Sequence, residues 1–283
     1  MPNPSVTRRS AEQWRAGAQT QTIERAVPDE VAVGLSFDGR PHTVLMATPA
    51  DVEDLARGFT LTEAVASASD IISIEVRETD LGLLADVRLR AGAANRRARP
   101  RTLEGRSSCG LCGVQRLSDA VRPLPKVGEG RRIAHRAVQR ALDALTDAQE
   151  LGRLTRATHA AAFADAEGRI LLSREDVGRH NALDKLAGHL AQAKIDASEG
   201  MVLLTSRVSV EMVQKTAAIG ASLMVSVSAP TALAIRMAEE AHITLVAIAR
   251  ADGFEIFTHP RRVGLDAAPE NDHGHEHAHI DVA

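Results

Sequence analysis

Three short apolar runs, Met201-Val202-Leu203-Leu204, Leu223-Met224-Val225-Ser226-Val227 and Ile243-Thr244-Leu245-Val246-Ala247-Ile248, are separated by stretches of helical periodicity. No other feature constrains the fold as much. Ser209 precedes a helical stripe of Met212, Val213 and Ala217, and Thr231 precedes one of Leu233 and Met237, each placed as an N-cap. Upstream, Asn181 is positioned to cap a helix with Leu183, Leu186, Ala187 and Leu190 inside, and Asp184 completes an approximate capping box. Apolar strands alternating with such helices predict right-handed crossovers and a parallel sheet covered on both faces. Ahead of them, His159 to Ala164 and Arg169 to Leu172 read as a hairpin turning at Asp165-Ala166-Glu167-Gly168. A helix at about 133–149, with Val138, Leu142 and Leu145 on one face, precedes that hairpin.

The N-terminal half carries a different pattern. Val31 to Phe37 and Thr43 to Met46 read as strands about the turn Asp38-Gly39-Arg40-Pro41. Thr48 and Pro49 read as the N-cap and first position of a helix whose inner side is Val52, Leu55, Ala56 and Phe59. Ile71 to Val76 and Leu83 to Leu89 give two further strands. The expected organisation is a flexible tail (1–28), a β-rich lobe (29–108), a cysteine loop and linker (109–130), an α/β core (131–264) and a disordered His-rich tail (265–283).

The chain of 283 residues is 44% hydrophobic, enough for one large domain or two smaller ones. Its net charge of −3 gives no pull toward nucleic acid or an acidic membrane, and 2% aromatics argues against base-stacking platforms. No apolar run approaches the ~20 residues of a membrane span, and residues 1–25 lack the apolar centre of a secretory signal. A cytoplasmic protein is expected, in which a disulfide is more readily catalytic than structural.

In open α/β sheets, ligands sit outside the carboxyl ends of the strands. Here those ends carry Thr205-Ser206-Arg207-Val208-Ser209, then Ser226 and Ser228, then Arg250. Hydroxyls, guanidiniums and helix N-termini on one rim suit phosphate or pyrophosphate, although serines after strands also serve as plain caps. The second chemical feature is Ser107-Ser108-Cys109-Gly110-Leu111-Cys112-Gly113, which holds both cysteines and follows Arg96, Arg97, Arg99, Arg101 and Arg106. Guanidinium groups favour thiolate over thiol, and flanking glycines let a sulfur approach another molecule. Half of a zinc site is the rival use of such a pair.

Several stretches together resemble one family, the formate dehydrogenase accessory sulfurtransferases (FdhD). They are Ser108 to Gly113, Ser173-Arg174-Glu175-Asp176-Val177-Gly178-Arg179-His180-Asn181-Ala182-Leu183-Asp184-Lys185, Ser209 to Lys215, Ser226 to Ala234, and Ala47 to Phe59. The resemblance runs from about Glu30 to Thr258. It implies a cytidine-deaminase-like three-layer α/β core with the smaller β-rich N-terminal lobe, and a homodimer. It also implies a protein that takes sulfur from a cysteine desulfurase as a cysteine persulfide. That sulfur passes to the molybdenum (or tungsten) bis-pterin guanine dinucleotide cofactor, bound as substrate, of the client formate dehydrogenase. No permanent cofactor or metal is expected, and no nucleic acid or membrane partner.

By the same resemblance Cys109 is the persulfide carrier. Cys112 either displaces the outer sulfur as a disulfide partner or shares carriage. Ile248-Ala249-Arg250-Ala251-Asp252-Gly253 corresponds to the segment that binds the guanine dinucleotide, with Ile248 where an aromatic is expected. Arg207, Ser209, Ser228 and His180 are assigned to the same ligand; His180 and His159 bind phosphates, orient the loop, or are structural. Asp176, Arg179 and Asp184 are alternatively a helix-start ion-pair network. Two other functions stand beside sulfur transfer: a chaperone that only binds the cofactor, and a zinc-bound adaptor using the cysteine pair.

Overall fold

The computed structural model describes residues 5–93 and 123–264. Val6–Gln13 (β1) and Gln21–Pro28 (β2) form an antiparallel hairpin, Val6 opposite Pro28 and Gln13 opposite Gln21. This corrects the expectation of a tail there. The ribbon has little apolar alternation because most of it is exposed, and it is held by its backbone ladder and by β2 lying against the short helix Glu150–Thr155. Gly17, at φ 79°, lies in the reversal.

Val31–Phe37 (β3), Arg40–Ala47 (β4), Ile71–Thr79 (β5) and Gly82–Leu89 (β6) form a four-stranded sheet of order β4-β3-β6-β5, with β3 and β6 parallel. Its inner side chains, among them Val33, Leu35, Ala85 and Val87, bury Leu55, Ala56 and Phe59 of helix α1 (Val52–Thr62). The expected cap at Thr48 is displaced. Asp51 holds the cap position at φ 55°, while the Thr48 amide and hydroxyl donate to Asp176 Oδ2, 3.0 Å each, in the second half of the chain.

Beyond the short strand β7 (Ile133–Ala134), the helix expected at 133–149 is two. His135–Leu145 (α2) ends early, and Glu150–Thr155 (α3) starts anew because the Glu175 carboxylate accepts from the Leu151 and Gly152 amides, 2.7 Å each. The core sheet comprises His159–Asp165 (β8), Ile170–Asp176 (β9), Gly200–Leu204 (β10), Leu223–Ser226 (β11), Thr244–Arg250 (β12) and Gly253–Ile256 (β13), ordered β13-β12-β11-β10-β8-β9. Only β10, β11 and β12 pair in parallel; β8 runs antiparallel to β9 and β10, and β13 to β12. The wholly parallel sheet is therefore corrected to a mixed one. The β8–β9 and β12–β13 connections are too short for crossovers, so each must reverse the chain.

Helices Arg179–Ala193 (α4), Val210–Ala218 (α5) and Ala232–Glu240 (α6) cover one face through Leu183, Leu186, Met212, Val213 and Met237. The opposite face is covered by Val138, Ala141 and Leu145 of α2, completing three layers, and Val263–Gly264 (β14) pairs with β7. Thr231 caps α6 as expected, its hydroxyl accepting from the Ala234 amide. Helix α4 begins at Arg179, not after Asn181, whose side-chain amide instead donates to Asp176 Oδ1 and to the Met46 carbonyl. This helix is buried almost all round because α1 packs on its outer side. Gly58 and Gly188 permit that approach: a Cβ on Gly58 would overlap the Asp184 carbonyl, and one on Gly188 the Asp54 carbonyl.

Candidate functional site

Because β9, β10, β11 and β12 all run the same way, their carboxyl ends share one edge of the sheet. Helices α4, α5 and α6 each return from a strand, so their N-termini open on that edge, where the partial positive charge of a helix dipole accumulates. Hydrogen bonds knit the edge. Ser226 Oγ donates to the Ser206 carbonyl at 2.7 Å and accepts from the Ser228 amide at 3.0 Å. The Ile248 amide donates to the Ser228 carbonyl at 3.1 Å, and the Arg250 guanidinium to the Val227 and Ala249 carbonyls.

The residues expected to form a phosphate rim lie along this edge. Arg207 is exposed in the β10–α5 loop; Ser209 and Ser228 are half-buried. Ser209 occupies the cap position of α5, yet its buried Oγ makes no hydrogen bond among the described residues. His180 is buried in the first turn of α4. The segment expected after a last core strand is in fact the end of β12 (Ile248, Ala249, Arg250), the exposed turn of Ala251 and Asp252, and Gly253 opening β13. Within it Ile248 has φ 53°, where a β-branched residue is strained, and the β12–β13 register shifts between Ala247 and Arg250. Cys109 and Cys112 lie outside the described residues, as do the arginines before them and the His-rich tail. Among the described residues no group of three or more His, Cys, Asp or Glu is arranged to hold a metal, and no helix is long and apolar enough to cross a membrane.

Behind the rim stand two buried ion pairs. Asp176 and Lys185 meet at 2.7 Å, and Lys185 Nζ also donates to Thr48 Oγ at 2.8 Å and to the Thr48 carbonyl at 3.1 Å. Lys215 Nζ lies 2.8 Å from Asp184 Oδ1 and 2.9 Å from Glu63 Oε1, and Thr62 Oγ donates to Asp184 at 2.6 Å. Burial pushes the Lys215 pKa down, but the Asp184 and Glu63 carboxylates outweigh it and hold the ammonium above its ordinary value. Asp176 and Asp184 are thus held in buried ion pairs, but their partners are lysines and threonines of both lobes. Arg179 has no part in either pair: its buried Nε has no hydrogen-bond partner among the described residues.

Two residues, one on the rim and one behind it, were not singled out from sequence. Glu211, in the first turn of α5, is 7% exposed and its Oε2 has no hydrogen-bond partner among the described residues. Its only sequence signal was a glutamate four residues before Lys215, on the polar side of the helix. His159, opposite Asp176 in the β8–β9 ladder, has its pKa lowered by burial and by the charge of Arg179, against the opposing pull of Asp176. Lys215, behind the rim and paired with Asp184 and Glu63, is the second residue that sequence did not single out, whereas His159 was among those it named.

Comparison with known proteins finds relatives along most of the chain. The chain is 49% identical over 247 residues to a protein of Agrobacterium fabrum named sulfur carrier protein FdhD, covering 86% of this chain and 91% of that one. A protein of the same name from Cupriavidus necator is 44% identical over 267 residues, covering 94% and 92%. A crystal structure from Desulfotalea psychrophila, assigned as a formate dehydrogenase accessory protein, superposes with a TM-score of 0.73 at 22% identity over 92% of this chain and all of that one, a likeness of fold. The FdhD/NarQ family model matches residues 28–264, and with relatives this similar along most of its length the chain belongs to that family.

Proposed function

We propose that this protein is a sulfur carrier for formate dehydrogenase. Cys109 receives sulfane sulfur from a cysteine desulfurase as a persulfide. The outer sulfur then passes to the molybdenum (or tungsten) bis-pterin guanine dinucleotide cofactor, which binds as substrate on the rim. The observation that carries this reading is the rim itself. It gathers three helix N-termini, the hydroxyls of Ser209 and Ser228 and the guanidiniums of Arg207 and Arg250 on one edge, and the similar proteins are named sulfur carriers.

In this reading the phosphates of the guanine dinucleotide are met by helix N-termini and arginines, whose donors suit anionic oxygens. The thiolate of Cys109 attacks the donor's persulfide, releasing the desulfurase cysteine as thiolate and keeping the sulfane atom. Cys112 either expels that atom by forming a disulfide or shares its carriage. The strand order β9-β8-β10-β11-β12, with β8 reversed, supports a cytidine-deaminase-like core. A cytoplasmic homodimer completes the proposal.

The test is to incubate the protein with a cysteine desulfurase and cysteine and to weigh the intact chain beside its Cys109→Ala variant. A gain of one sulfur atom that the variant lacks is expected. Activation of formate dehydrogenase without sulfur uptake would replace this reading with a cofactor-binding chaperone, and stoichiometric zinc with a structural adaptor.

A further inference from the structure

Glu211 is a rim residue whose chemistry the proposed phosphate site does not use. Its carboxylate is buried, its Oε2 is without a hydrogen bond among the described residues, and no ion pair satisfies it there. A buried carboxylate in that state is costly until water, an ion or a ligand completes it, and its place at the open rim gives a ligand access to it. Its position follows from the ion pair below it. Helices α4 and α5 are parallel, and Asp184 of one meets Lys215 of the other at 2.8 Å. Four residues earlier on each helix, one turn nearer the rim, stand His180 and Glu211. Helical side chains lean toward the N-terminus, so the carboxylate is directed along the α4–α5 cleft toward the rim. Arg179 Nε and Ser209 Oγ, also buried and without hydrogen-bond partners among the described residues, stand at the two helix starts that frame it.

A phosphate would be repelled by this carboxylate. What completes it is a neutral planar group with two adjacent N–H donors, and Arg179 and Ser209 supply donors for an adjoining carbonyl oxygen. The 2-amino-4-oxopyrimidine edge has that pattern, and guanine and pterin share it. Resting on the function proposed above, we propose that Glu211 is the base-reading residue of the nucleotide site. Its two oxygens accept from the ring N–H and the exocyclic amino group, while the phosphates stay with Arg207 and Arg250. The rival role is structural: an acidic residue in a first helical turn complements the helix dipole whether or not a ligand is bound.

The experiment titrates the full-length protein with GDP, with IDP (which lacks the 2-amino group), with ADP, and with neopterin as the free pterin probe. Wild-type protein is expected to prefer GDP, or neopterin if the pterin end occupies the cleft, over IDP and ADP by at least about tenfold, the discrimination of a bidentate base contact. In Glu211→Gln the preference over IDP is expected to collapse, with melting temperature recorded alongside. A structural role alone moves the melting temperature and leaves the ratio intact. Equal wild-type affinity for GDP and IDP with no neopterin binding overturns the assignment of Glu211 while the nucleotide site stands, and this needs no variant. Failure of every probe to bind overturns the nucleotide site and the base-reading role together, leaving sulfur uptake by Cys109 as a separate question.

Discussion

Lys185 and Asp176 form an ion pair of 2.7 Å in which neither side chain is exposed to solvent. Thr48 closes it, donating from its amide to Asp176 and accepting from Lys185 on its hydroxyl and carbonyl. The pair thus joins three pieces of chain: the end of β4, the end of β9 and the middle of α4. Asp176 Oδ1 further accepts from the Gly178 amide at 2.8 Å and from Asn181 at 3.0 Å, which fixes where α4 begins and so where its N-terminus meets the rim.

Removing one partner of such a pair strands the other charge in the interior. Lys185→Met is expected to cost about 3–5 kcal/mol of unfolding free energy, read from urea denaturation. Adding Asp176→Leu is expected to recover only part of the loss, because the donors from Thr48, Gly178 and Asn181 are then left without an acceptor. A single-variant loss below ~1 kcal/mol would show that the pair is not what holds the lobes together.

The crossing of α1 over α4 depends on backbone meeting backbone at Gly58 and Gly188. Gly58→Ala drives a methyl into the Asp184 carbonyl, and neither helix backbone can yield without moving the ion pairs between them. Overpacking of this kind is expected to cost about 1–3 kcal/mol or more. Gly128→Ala, where an added Cβ meets nothing within 4 Å and φ is not in the left-handed region, serves as the control. Thermal denaturation of the two variants side by side checks the difference, and equal melting temperatures would refute it.

The strand–helix alternation from Met201 to Ile248 announced the parallel centre of the sheet and its ligand edge, because fully buried strands have no polar face to hide their signal. What escaped was set by distant partners. Thr48 reads as an N-cap on local chemistry, and only a carboxylate 128 residues away takes it from that role. Asn181 reads as a cap for the same reason, until Asp176 and the Met46 carbonyl bind it inside the helix. The β1–β2 ribbon escaped because its pairing is backbone to backbone with few buried side chains. At the site, Arg207, Ser209, Ser228 and Arg250 were legible as strand-end residues. Glu211 was not, since a glutamate four before a lysine is the commonest pattern of an exposed helix face.

His159 offers a pH-dependent reporter of the rim. Its pKa lies below the ordinary 6.5 because the ring is partly buried and faces the charge of Arg179. The unfolded chain therefore takes up the proton at a higher pH than the folded one. The contribution of His159 to stability is fully present above about pH 6.5 and is lost as pH falls through the folded pKa. In Arg179→Gln the second of these causes is gone, and the His159 ring is expected to titrate at higher pH, as followed by NMR of the imidazole. An unmoved titration would mean that Arg179 does not face His159.

Arg250 tests the phosphate half of the rim. Its guanidinium donates to the Val227 and Ala249 carbonyls, neutral acceptors, and among the described residues no carboxylate pairs with it at the exposed end of β12. A charge-assisted hydrogen bond to phosphate contributes about 1.5–3 kcal/mol, so Arg250→Ala is expected to weaken GDP binding by roughly tenfold or more. The loss should shrink at high salt, where the ionic contribution is screened. Persulfide formation on Cys109 should be unaffected, because the first sulfur transfer needs only the thiolate and its donor. Arg250→Lys is expected to restore part of the affinity, keeping the charge but not the planar fork that reaches two acceptors at once. GDP binding unchanged in Arg250→Ala would remove this arginine from the site and shift the phosphates toward Arg207 and the N-terminus of α5.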